Sequence, residues 1–169
     1  PWTGTYGRPS SRGRSVLTAS VLTGSTGAAV MYVGNADQLI VMISDSSASG
    51  RVLSGNLLAQ TGPFDLTSLM GNCVTYQTAN YDQPGYEGLT FAALSLFAAD
   101  GQGGLSGTVD LNSGGNIGHP SVQYTYAVDG NGQASIYTAP STVGGKWYLT
   151  GPNAGLMLGF DTGVSVGMI

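Results

Sequence analysis

The sequence predicts an all-β protein, an antiparallel up-and-down barrel or sandwich built from about one and a half tandem units. Three observations carry that expectation: strand-length runs with period-two alternation, tight Gly-rich turns between them, and an internal repeat. The repeat is direct. Gly13-Arg-Ser-Val-Leu-Thr, then Tyr32, then the apolar run Leu39–Ile43 closed by Asp45, recurs as Gly132-Gln-Ala-Ser-Ile-Tyr, Tyr148 and Leu156–Phe160 closed by Asp161. The offset drifts from about 119 to about 116 residues, as one short loop deletion produces. Residues 1–60 therefore read as the C-terminal half of a barrel unit, and residues 61–169 as a nearly complete second unit.

Taken in order, strands are expected near 2–7, 15–23, 28–34, 38–45 and 51–59 in the first unit. The pattern pauses at Gln60-Thr-Gly-Pro-Phe-Asp, where the boundary falls, and Asp65 is placed to cap a short helix over Asp65–Met70. Strands then follow near 73–80, 89–99, 104–111, 121–128, 133–138, 146–150, 155–161 and 164–169. In two of them the alternation is clean: Val122, Tyr124, Tyr126 and Val128 against Gln123, Thr125 and Ala127, and Leu105, Val109 and Leu111 against Ser106, Thr108 and Asp110. The runs Leu89–Ala99 and Leu39–Ile43 are apolar on both faces, as expected where a strand is covered inside and outside or lies at an interface, which makes them candidate contact surfaces. Asp100-Gly-Gln-Gly-Gly, Asp129-Gly-Asn-Gly, Asn112-Ser-Gly-Gly and Thr23-Gly-Ser-Thr-Gly supply the positive φ angles of tight hairpins.

Charged residues make up only 8% of the 169 residues, with a net charge of −4. So acidic a chain offers no basic face to displace counterions from a phosphate backbone, and so few charges leave weak repulsion between copies. No apolar stretch reaches the length of a membrane-spanning helix. Cys73 is the single cysteine, which excludes an intramolecular disulfide and a multi-thiolate metal site. His119 is the single histidine, so neither a His-based metal centre nor a triad can be singled out, and no Gly-x-Ser-x-Gly elbow occurs. The Asp-led turns lack the alternating carboxylates of a calcium loop. Lys146 and Glu87, each the sole residue of its type, suit an isopeptide bond from the lysine to an Asn or Asp with the glutamate as proton shuttle, but a surface lysine lying over an aromatic is the simpler expectation. Neither a cofactor nor an enzymatic activity is expected.

The turn and strand motifs resemble a known family. Phe97-Ala-Ala-Asp-Gly-Gln-Gly-Gly-Leu-Ser-Gly-Thr-Val-Asp-Leu-Asn, Tyr124-Thr-Tyr-Ala-Val-Asp-Gly-Asn-Gly-Gln-Ala, Tyr32-Val-Gly-Asn-Ala-Asp-Gln-Leu-Ile-Val-Met and Val52-Leu-Ser-Gly are similar to hairpins of repeated extracellular barrel domains in secreted acidobacterial and other soil-bacterial proteins. The resemblance implies a calycin-like up-and-down barrel, export and tandem arrangement, and it assigns no catalytic residue.

A half barrel leaves two strand edges and an apolar face without partners. The leading expectation is therefore an extracellular structural protein that self-assembles head to tail into a filament or surface layer by β-strand complementation. The segments expected to do so are the two ends, with Trp2, Thr5, Tyr6, Val16 and Leu22 at one and Val164, Val166 and Ile169 at the other. The competing expectation is a monomeric barrel holding a small apolar or glycan ligand, lined by Tyr124, Tyr126, Trp147 and Phe160.

Overall fold

The computed structural model describes residues 4–19, 27–43, 54–80, 90–159 and 165–169, and the protein is all-β and antiparallel. It divides into two compact units, Pro1–Ala59 and Gln60–Ile169. No helix among the described residues is long and apolar enough to cross a membrane.

The second unit is a closed barrel. A 3₁₀ turn (Leu66–Ser68) precedes β6 (Met70–Asn80), β7 (Thr90–Asp100), β8 (Gly104–Ser113), the short β9 (Asn116–Gly118), β10 (Ser121–Val128), β11 (Gln133–Ala139), β12 (Thr142–Gly151), β13 (Ala154–Gly159) and β14 (Ser165–Met168). Each strand pairs with the next, β9 folds back on β8 as an appended hairpin, and β8 pairs directly with β10. The last strand then pairs with the first, Met168 opposite Tyr76 and Ser165 opposite Ala79, sealing an eight-stranded cylinder. Among the described residues, closure leaves none of these eight strands at a sheet edge.

The alternation read from the sequence places side chains as expected. Along β7, Ala93, Ser95, Phe97 and Ala99 are buried while Leu94, Leu96 and Asp100 face out. Phe97, Trp147, Tyr126, Leu105, Ile136, Leu149 and Leu69 form one core cluster, with Phe97 and Trp147 rings 5.9 Å apart and tilted. The turn between β7 and β8 is held by the Asp100 carboxylate, which accepts from the Gln102 and Gly104 N–H groups at 2.7 and 2.8 Å. These backbone donors hold the Asp100 carboxyl below its ordinary range, and Thr67 does the same for Asp65 at the 3₁₀ turn. Both acids titrate lower folded than unfolded, so their contribution is full above the ordinary value of 3.8 and is lost as pH falls through the depressed folded value. Thermal unfolding followed by circular dichroism should accordingly show a melting temperature that drops on acidification below pH ~4, and a shallower drop in Asp100→Asn.

Three sequence expectations are corrected here. The helix over Asp65–Met70 is a single 3₁₀ turn, because Leu69 is fully buried in the core and Met70 already begins β6. The strand β9 was not expected, and β14, expected as an unfinished end, is paired on both sides.

The first unit is a five-stranded sheet in the order β1 (Gly4–Tyr6), β2 (Arg14–Ala19), β3 (Gly27–Val33), β4 (Gln38–Ile43), β5 (Ser54–Leu58). Its backbone pairing repeats that of β10–β14. Arg14 faces Tyr32 as Gln133 faces Tyr148, Met31 faces Val41 as Trp147 faces Met157, and Val41 faces Gly55 as Met157 faces Gly167. Thr5 and Tyr6 sit opposite Thr18 and Leu17 as Thr125 and Tyr126 sit opposite Tyr137 and Ile136. The first hairpin turn repeats as well. Gly13 (φ 74°) donates to the Ser10 carbonyl at 2.9 Å, and Gly132 (φ 78°) to that of Asp129 at 3.0 Å. Both glycines need the left-handed conformation that their missing Cβ permits.

Candidate functional site

Among the described residues, the candidate features are the open sheet of the first unit, an apolar row on the barrel exterior and the lumen of the second unit. Among the described residues β1 and β5 each carry a partner on one side only. The inward row Ser15–Met31–Val41–Gly55 corresponds to Ala134–Trp147–Met157–Gly167 in the barrel. In the barrel that row continues across the seam, Gly167 opposite Gln77 and Gln77 opposite Ala93, whereas in the first unit it stops at Gly55.

The residues singled out for assembly divide sharply. Thr5, Tyr6 and Val16 lie on the open sheet and are exposed, Tyr6 to 74%. Trp2, Leu22 and Val164 fall outside the described residues. Val166 and Ile169 do not bound a vacant edge: Val166 sits opposite Leu158 on one side and Thr78 on the other, and the Ile169 N–H donates to the Gly155 carbonyl at 2.9 Å. The expectation that the second end is unfinished is thereby overturned, because β14 has neighbours on both sides.

An apolar row also crosses the barrel exterior. The register sets Tyr148, Leu156, Met168, Tyr76 and Leu94 side by side over five strands, and all but the half-buried Leu156 are exposed. Leu94 in this row lies on the outer side of the apolar run expected near Leu89–Ala99.

The lumen is filled at one end and hollow at the other. Near the 3₁₀ turn, the Tyr126 hydroxyl donates to the Leu66 and Leu69 carbonyls at 3.0 and 2.7 Å, so Tyr126 plugs the barrel instead of lining a ligand space. Burial pushes its phenol pKa up. Beyond the Phe97–Trp147 layer lies a cavity of about 440 Å³. Tyr124 and Trp147 line it as expected, together with Phe91, Val109, Val122 and Met157, while Phe160 lies outside the described residues. Its polar lining includes Thr75, Ser95 and Gln77, whose amide donates to the Ser165 hydroxyl, and no charged side chain among the described residues lines it. Its rim includes the exposed Pro120, Thr138 and Thr142.

Three further residues find their places. Cys73 is buried in the core cluster, and burial raises its thiol pKa. Iodoacetamide should therefore label it slowly in the native protein and rapidly in denaturant, as read by mass spectrometry. Lys146 donates to the Gln133 and Ser135 side chains at 2.8 and 2.5 Å, and Glu87 lies outside the described residues. His119 Nδ1 lies 2.6 Å from Asp110 Oδ1 with both side chains exposed, a pairing the sequence reading missed because the β8–β9 hairpin creates it. No group of three or more His, Cys, Asp or Glu among the described residues is placed to hold a metal.

In comparisons with protein-family models, curated proteins and solved structures, nothing matches the chain.

Proposed function

We propose that this protein is an extracellular structural protein that assembles by β-strand complementation, the sheet of its first unit being continued by strands of a neighbouring molecule. The observation that carries this reading is that β1–β5 repeats the pairing of β10–β14 yet, among the described residues, ends in two edges without a partner. Backbone N–H and C=O groups along β1 and β5 supply the affinity, and burial of Tyr6 and the inward row supplies the rest. Each copy offers two such edges, so copies that pair through both extend into a filament or layer. The low charge and the apolar row on the barrel exterior favour such association. Export is the expectation that comes with the family resemblance.

Multi-angle light scattering across a concentration series tests this. The expected mass rises above 17.1 kDa with concentration, and Gly55→Val, which meets nothing within 4 Å in the free chain, reverses the rise by obstructing the incoming strand. A mass that stays at that of one chain throughout contradicts it.

The 440 Å³ cavity supports a second reading, a lumen that takes a small uncharged apolar molecule. N-phenyl-1-naphthylamine, a neutral probe, should brighten on binding and accept excitation energy from Trp147, with the transfer reduced in Trp147→Phe. Absence of any fluorescence change at saturating probe contradicts the reading.

A further inference from the structure

The barrel of the second unit shows what the first unit lacks. Strands β10–β14 are completed by a three-stranded meander, β6–β8, preceded by the lead-in Gln60–Leu69. Three positions report where that complement presses, and each has a counterpart in the first unit against which, among the described residues, no such complement lies.

Gly167 is the first. A Cβ built there would run into the Tyr76 carbonyl oxygen of β6, so only glycine lets the seam strand approach. Its counterpart Gly55 meets nothing within 4 Å. Next is Tyr126, only 4% exposed and bonded to the Leu66 and Leu69 carbonyls, whereas its counterpart Tyr6 is 74% exposed. The third is Gly132, where a Cβ would lie 2.9 Å from the Phe64 ring and 3.1 Å from the Gln60 amide. At its counterpart Gly13 the nearest atoms are the first unit's own Val33. A glycine kept where no neighbour crowds it, and a tyrosine matched to a plug but left in solvent, are both accounted for by one missing object.

Resting on the strand-complementation reading above, we infer that the occupant of the first unit is a three-stranded β-meander of the β6–β8 kind, with a lead-in like Gln60–Leu69. It lays one strand along β5, against Gly55, and another along β1, and it buries Tyr6 beneath its lead-in. Counting halves identifies the source. Among its described residues each chain holds two five-stranded halves, β1–β5 and β10–β14, and one three-stranded half already sealed to β10–β14. A copy of this chain donates its meander only by opening its own barrel, which exchanges one vacancy for another. The occupant is therefore a polypeptide segment that carries such a meander unmatched, and edge pairing between copies is what the sheet does without it.

The test adds that segment to the whole chain. Thr5-Tyr6 and Thr125-Tyr126 stand 120 residues apart in register, so a second copy of residues 60–120 is fused ahead of Pro1 through its Pro120. Nitration of Tyr6 by tetranitromethane, located by peptide mass spectrometry, should slow by about tenfold or more relative to the 169-residue chain. Gly55→Val in the fusion should restore the fast rate. The same segment added in trans to the folded chain reads Tyr6 independently of how well the fusion folds. Unchanged nitration of Tyr6 in both formats overturns the inference, as does slow nitration in the unextended chain on dimerisation, which makes a second copy the occupant. If the unextended chain remains a monomer while the added segment shields Tyr6, the self-assembly proposal fails and this inference stands.

Discussion

Replacing Gly167 by valine should unseal the barrel of the second unit. The side chain would occupy the space through which the Tyr76 carbonyl passes, so β14 and β6 cannot keep their present spacing. Ordinary overpacking of a core costs about 1–3 kcal/mol because side chains can shift, but here the obstacle is backbone, and relief requires parting the ladder. The expected result is loss of the second unit's cooperative thermal transition, or a melting temperature lowered by 10 °C or more, on the basis of roughly 4 °C per kcal/mol for a unit of this size. The matched Gly55→Val change in the unassembled chain should leave stability near that of the parent. Differential scanning calorimetry of the two variants side by side checks both halves of this expectation, and equal effects would contradict the equivalence of the two seams.

Trp147→Ala should have the next largest effect. Trp147 is 3% exposed, stacks obliquely on Phe97 at 5.9 Å, and separates the filled end of the lumen from the hollow end. Truncation removes the largest side chain of that layer and joins the new void to the existing cavity, so the walls have little to collapse onto. A loss of about 3–5 kcal/mol is expected, measured by urea denaturation. A loss below about 1 kcal/mol would mean that the Phe97–Trp147 layer does not hold the barrel together.

Much of this fold is legible in the chain because a strand with one wet face prints its alternation directly into the sequence, as Val122–Val128 does. The hairpin turns are legible for an equally local reason: Asp100 and Asp129 fold their carboxylates onto N–H groups within four residues. The repeat of Gly13 through Tyr32 in Gly132 through Tyr148 is likewise visible as sequence and returns in backbone register. What the chain hides is nonlocal. Nothing near Val166 announces that its strand lies beside Thr78, so the same residues read as a vacant edge. Tyr126 reads as a lining aromatic because its partners, the Leu66 and Leu69 carbonyls, lie 60 and 57 residues away. Asn116–Gly118 is too short and too rich in turn formers to register as a strand, and with it went the approach of His119 to Asp110. Of the candidate lining, Tyr124 and Trp147 were found because inward alternation on β10 and β12 is a local signal.

Hydrogen exchange of the 169-residue chain, held dilute enough to be monomeric and read amide by amide by NMR, weighs the central claim most directly. A sealed second unit and an unfinished first unit predict slow exchange along both sides of β14 and β6, and fast exchange for the amides of β1 and β5 that point away from β2 and β4. Fast exchange at Val166 and Thr78, or protection of the outer β1 and β5 amides in the monomer, would contradict it.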